Sequence, residues 1–214
     1  MPIAPAVDLA WDWANAMGYL GLSLCLLLFI YAGRPRSFPP FSGRFFANLH
    51  RDLGYLAALL VTGHVGLLLH AEPMLLEHLK PSAPLYMLAG LLASVLLLVL
   101  VVSSVKGLRK RIWPDYRHFK LLHAWLAITC VGLIAWHVAG SRFYLNTGLK
   151  LAVGGLAAIG LIGFYLRGRL GGRPGARRDP GNRNTVGYSH LVSYGSVLSL
   201  LVIALVLVLL RLPE

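Results

Sequence analysis

The chain has 214 residues, 57% hydrophobic and only 13% charged, with a formal net charge of +12. A soluble domain carries about a quarter charged residues, so this composition, with a mean hydropathy of +0.68, excludes an ordinary soluble enzyme and points to an all-α, polytopic membrane bundle. The positive charge would raise the question of nucleic acid in a soluble protein; here it reads as a topology signal, and no nucleic-acid partner is expected.

The N-terminal "MPIAPAVDLAWDWANAMGYLG" has no basic residue and two acids, Asp8 and Asp12. A secretory signal starts positive, so none is expected. Hydropathy then predicts six spans long enough for about 30 Å of hydrocarbon at about 1.5 Å per residue. They fall near 14–32, 50–70, 85–105, 119–140, 149–167 and 188–211. Breaker-rich stretches separate them: "GRPRSFPPFSG" after the first, Pro73, Pro81 and Pro84 after the second, "GGRPGARRDPGN" after the fifth. No polar segment is long enough to fold separately, so residues 1–214 read as one membrane domain. Cys25 and Cys130 lie inside apolar stretches without CxxC or CxxCH, which argues against a disulfide framework and covalent c-type haem. The glycines of "GRLGGRPG" follow a helix and lack the GK[ST] of a phosphate loop.

The last span, 188–211, carries Ser189, Ser193, Ser196 and Ser199 as a small polar stripe. Such a stripe suits close packing inside the bundle or a seam for a partner subunit.

Orientation follows the lysines and arginines. Sixteen of the twenty lie in or beside the loops after spans one, three and five; Lys80, Arg142, Lys150 and Arg211 lie on the other side. This predicts odd loops in the cytoplasm and both termini outside. Anionic lipid or an acidic partner could also use the basic side.

Four histidines stand out. His50 and His64 lie fourteen residues apart, as do His123 and His137, each pair within one span. Fourteen helical residues advance about 21 Å and turn to within about 40° of four full circles, so each pair shares one helix face. Spans two and four run in the same direction. The register therefore sets His50 against His123 on the inner side and His64 against His137 on the outer side. Imidazole ligates iron, copper and zinc alike. Facing side chains in helical bundles build cofactor sites, and two stacked histidine pairs suit two bis-imidazole haems, which favour electron transfer over oxygen binding. Ionisable groups inside spans are seldom mere packing, although a lone histidine there is often an interhelical hydrogen bond.

Arg44, Arg51, Arg117 and Lys120 lie close to the inner histidines and could meet haem propionates, or belong to the same positive-inside surplus. Gly54, Gly63, Gly66 and Gly132 would admit a flat macrocycle or close helix packing. Trp125 and Trp136 could line its faces, while Trp11, Trp13 and Trp113 read as interfacial anchors. His70, His78, His118 and His190 fall outside the pattern and read as interface residues.

On "LHRDLGYLAALLVTGH", "RHFKLLHAWLAITCVGLIAWH" and the basic loop before each, the chain resembles the ferric reductase-like transmembrane domain family over residues 15–167. The resemblance implies that His50, His64, His123 and His137 are axial ligands of two b-type haems. His50 and His123 would hold the inner iron, His64 and His137 the outer. It also implies a multi-pass protein of the bacterial inner membrane that carries electrons between its faces. Relatives usually place these ligands on the third and fifth of six spans; here they are on the second and fourth, with an additional helix at 188–211. Only three residues follow Arg211. The expectation is therefore a subunit without its own flavin or nicotinamide domain, served by a separate flavoprotein reductase or quinol and by an outer-face acceptor near residues 71–84. A quinol-linked cytochrome b subunit uses nearly the same histidine spacing. A proton or divalent-metal transporter would also use intramembrane histidines, but it expects acidic residues deep in the spans, and none is there.

Overall fold

A computed structural model describes residues 9–31, 43–71, 73–113, 115–142, 147–170, 190–191, 194–195 and 198. The continuous α-helices among the described residues are α1 (Leu9–Ile30), α2 (Gly43–Ala71), α3 (Leu85–Ser104), α4 (Lys106–Ile112), α5 (Tyr116–Ser141) and α6 (Gly148–Leu170). A 3-10 helix covers Pro73–Leu79, inside what the sequence suggests is a plain loop. Four of the helices, α1, α2, α3 and α5, are long and apolar enough to cross a membrane. The fifth expected span coincides with α6; the sixth, 188–211, lies almost wholly outside the described residues.

Helix ends differ from the hydropathy boundaries for local reasons. α2 starts seven residues before His50 because Phe45, Phe46 and Leu49 continue its buried stripe. Hydropathy stops at Arg44 and Arg51, but helical hydrogen bonding does not depend on side-chain polarity. α5 starts at Tyr116 because Asp115 caps it, its carboxylate accepting from the Arg117 N–H at 2.8 Å. α3 stops at Ser104, where Val105 takes an extended conformation (φ −59°, ψ 125°) before α4 begins. The hydroxyls of Ser103 and Ser104 both donate to the Leu100 carbonyl, at 3.3 and 2.6 Å. Such side-chain bonding competes with the backbone ladder.

The chain divides into two compact units. The first comprises residues 1–18 and 58–157 and is built on α3 packed against α5. Ala89, Ala93, Leu97 and Leu100 form the buried face of α3, and Phe119, Ala124, Cys130 and Val131 that of α5. The small side chains let the backbones approach, and Cys130 Sγ donates to the Ala93 carbonyl at 3.4 Å. On the opposite side of α3, Leu92, Val95, Leu98, Val99 and Val102 are exposed. A row of this kind is a lipid-facing surface in a membrane helix.

The second unit comprises residues 19–57 and 158–214. Its core holds Leu24, Cys25 and Phe29 of α1 with Phe45, Phe46, Leu49 and Leu53 of α2. Phe46 stacks on Tyr31 at 6.0 Å between centroids and meets Phe45 edge-on at 5.2 Å, geometries that aromatic pairs prefer.

Candidate haem-ligand site

α2 carries His50 and His64, and α5 carries His123 and His137, as the sequence predicts. All four rings are half-buried, whereas His70 and His118 are exposed. Each ring makes a hydrogen bond through Nδ1 to a neighbouring helix or, for His50, to the turn that follows α1. His64 Nδ1 lies 2.7 Å from the Ala14 carbonyl oxygen on α1, and His137 Nδ1 lies 3.0 Å from that of Tyr86 on α3. His50 Nδ1 lies 3.1 Å from the Tyr31 carbonyl. His123 Nδ1 lies 3.4 Å from Ser104 Oγ.

These partners fix the tautomer. A carbonyl oxygen only accepts, so the nitrogen facing it carries the proton. Ser104 has already given its hydroxyl hydrogen to Leu100, so its oxygen too accepts from His123 Nδ1. All four imidazoles are thus held as Nδ1–H donors, with the ligating lone pair on Nε2. That arrangement typifies a metal-bound histidine whose second nitrogen is anchored by the protein.

His64 and His137 rest in two matching notches. A Cβ on Gly18 would lie 2.9 Å from His64 Nδ1, and one on Gly90 would lie 2.6 Å from His137 Nδ1. In both notches the glycine stands four residues after the accepting carbonyl: Ala14 then Gly18, Tyr86 then Gly90. Residues four apart stack on one helix face, so the missing side chain opens the way to the carbonyl beneath. On α3 the pattern repeats fourteen residues later as Leu100 then Ser104, the spacing that separates His123 from His137 on α5.

Sequence reasoning finds the four rings but misses Gly18, Gly90 and Ser104. Attention falls instead on glycines of the ligand helices. Nothing approaches within 4 Å of a Cβ on Gly54, Gly66 or Gly132, and Gly63 meets Met17 Sδ at 3.0 Å. The available signal was the fourteen-residue echo on the supporting helix, Gly90 to Ser104.

The basic residues near the inner histidines have varied settings. Arg44 and Arg117 are exposed. Arg51 pairs with Asp52 at 3.1 Å, and Lys120 Nζ lies 4.4 Å over the Tyr116 ring. Arg109 stacks over both Tyr116 and Phe119, and Phe119 in turn packs beside His123 at 5.3 Å between ring centroids. His118 binds Asp115 at 2.9 Å, and His190 binds the buried Asp52 at 2.6 Å. These two histidines serve ion pairs, in keeping with their place outside the ligand pattern. Trp125 and Trp136 are exposed.

Among the described residues, no three His, Cys, Asp or Glu side chains converge on a metal position. A porphyrin supplies four of its iron's ligands and asks the protein for two, which is the number a histidine pair provides. The donor set therefore fits haem. No curated protein and no solved structure matches the chain. The family model of the ferric reductase like transmembrane component matches residues 17–134, a segment that includes His50, His64 and His123 and ends just before His137. With more than half its length so matched, this multi-pass membrane protein belongs to the family of ferric reductase like transmembrane components.

Proposed function

We propose that the chain is a transmembrane electron-transfer subunit that binds two b-type haems, with His64 and His137 as one ligand pair and His50 and His123 as the other. The observation that carries this reading is the shared anchoring of the four rings, each presenting Nε2 as its basic nitrogen through an Nδ1–H bond to a supporting helix. The outer pair is supported by its two notches. The inner pair is supported by the helical repeat, which gives both ligand helices the same spacing. A haem held by two histidines would supply a one-electron iron couple with no open site for oxygen.

The chain's own work is to hold and insulate. The carbonyls of Ala14 and Tyr86 keep the imidazoles from rotating, and the exposed apolar faces of α3 and α5 turn toward lipid. Arg44, Arg51, Arg117 and Lys120 are the cations available to propionates on the inner side. The charge distribution favours both termini outside and the basic loops in the cytoplasm of a bacterial inner membrane, where a flavoprotein or a quinol would deliver electrons. A carrier that moves protons or metal through its histidines would need rings free to change partner; His50, His64 and His137 are tied to backbone carbonyls.

The test is the absorbance spectrum of the purified full chain. Reduction by dithionite should give sharp b-type bands at two haems per chain, and His64→Ala should halve the haem content. A colourless protein after expression with ample haem would overturn the reading.

A further inference from the structure

The short helix α4 follows α3 with only Val105 between them, inside the first unit, and none of its residues is buried. One side of it is apolar. Val105, Leu108 and Ile112 are exposed, and at intervals of three and four residues they share a helix face. They follow directly on the exposed row of Val95, Val99 and Val102 along α3, the surface that faces lipid.

The rest of the connection is cationic. Residues 105–120 contain six lysines and arginines and one acid, Asp115. Asp115 is taken up by the Arg117 N–H and by His118, and among the described residues no carboxylate pairs with Lys106, Arg109, Lys110 or Arg111. The helix dipole favours the three cations of the last turn but opposes Lys106 in the first, so the helix does not need this set for its own sake.

Arg109 is held in place. Its guanidinium carbon lies 5.0 Å from the centroid of Tyr116 and 5.7 Å from that of the buried Phe119. Stacking uses the face of the guanidinium and leaves its N–H edge, the fork that grips a phosphate through two parallel bonds. Lys120 Nζ stands 4.4 Å over the same Tyr116 ring. Two like charges gathered at one ring repel, and an anion within reach of both relieves that.

We propose that α4 and the start of α5 bind the headgroup of an anionic phospholipid from the surrounding bilayer. Arg109 grips the phosphate, Lys106, Lys110 and Arg111 supply the attraction, and Leu108 and Ile112 enter the acyl boundary. A helix with apolar residues on one side and lysine or arginine on the other lies in the headgroup plane in this way, and basic segments beside a span draw anionic lipid. The apolar side favours lipid over an acidic soluble partner, because it continues a lipid-facing surface. The proposal does not depend on haem.

The experiment is native mass spectrometry of the purified full chain in mild detergent, titrated with phosphatidylglycerol or with phosphatidylcholine. The wild type should retain phosphatidylglycerol in preference, less so as salt rises. Lys110→Gln with Arg111→Gln should weaken that retention by about fivefold per cation removed. Arg142→Gln with Lys150→Gln removes the same charge elsewhere and should keep the wild-type preference. Arg109→Lys keeps the charge without the fork, and should fall between the wild type and Arg109→Gln. Leu108→Ser with Ile112→Ser keeps every cation and should also lose phosphatidylglycerol. With no residue of α4 buried, its substitutions do not reach the core.

Equal retention of the two lipids by the wild type, or equal losses from the two charge-removing pairs, would overturn the proposal. Undiminished phosphatidylglycerol in Leu108→Ser with Ile112→Ser would overturn it too, since charge alone would then suffice, as it does for an acidic soluble partner. Arg109→Lys indistinguishable from the wild type would overturn the grip assigned to Arg109.

Discussion

The Nδ1–H of His137 donates to the carbonyl oxygen of Tyr86 at 3.0 Å, joining the C-terminal end of α5 to the N-terminal end of α3. One turn further along α5, Gly140 lies against Tyr86, and a Cβ there would collide with that side chain. Gly140→Ala must push Tyr86 or part the helices, at a cost of about 1–3 kcal/mol. The thermal midpoint in detergent should fall, and the outer haem absorbance should fall with it because the carbonyl moves. Gly107→Ala in α4, where nothing lies within 4 Å, is the matched control and should leave both unchanged or slightly improved.

Asp52 is only 5% exposed, yet it binds Arg51 at 3.1 Å and His190 at 2.6 Å. Its partners are far more open to solvent, so the charge that suffers from loss of pairing is the carboxylate. Removing both partners together leaves it buried and alone. Arg51→Ala with His190→Ala should destabilise the protein by about 3–5 kcal/mol, whereas either single change leaves one partner and should cost less. Urea or thermal unfolding of the four proteins of this double-mutant cycle measures the coupling; additive losses would show that the two partners act independently.

Arg142 closes α5 in the left-handed conformation, with φ at 51°. That region costs a residue with a Cβ about 1–2 kcal/mol and costs glycine almost nothing. Part of the gain is lost to the greater freedom of glycine in the unfolded chain. Arg142→Gly should therefore stabilise by about 0.5–1 kcal/mol, seen as a higher melting temperature, with haem content unaltered.

His70 and His118 are exposed, and His118 is engaged by Asp115 at 2.9 Å. Their replacement by alanine should leave haem stoichiometry at the wild-type value. Replacement of any one of His50, His64, His123 or His137 should cost one haem per chain. A pyridine haemochrome assay separates the two groups; equal losses from His118→Ala and His123→Ala would refute the assignment.

Much of this protein is legible without coordinates because its governing interactions are local. Helices of about twenty apolar residues form wherever a backbone must satisfy itself away from water, and the placement of four histidines on two of them follows from the helical period alone. Asp115, set just after Pro114, starts α5 by a side-chain cap that the hydropathy boundary at 119 does not register. The start of α2 is not announced. Arg44 and Arg51 lower its hydropathy, while the burial of Phe45, Phe46 and Leu49 that sustains it depends on residues elsewhere in the chain.

The anchoring of the rings belongs wholly to tertiary structure. The chain contains 23 glycines, and apart from the fourteen-residue echo between Gly90 and Ser104 nothing in the sequence tells which of them lies under an imidazole. A glycine on one helix and a histidine on another become a notch and its occupant only when the two rods lie at one depth and one rotation, and packing sets both. Composition and period determined the membrane helices and the histidine faces; side-chain packing decided which group meets each ring, a backbone carbonyl for His50, His64 and His137 and the Ser104 hydroxyl for His123.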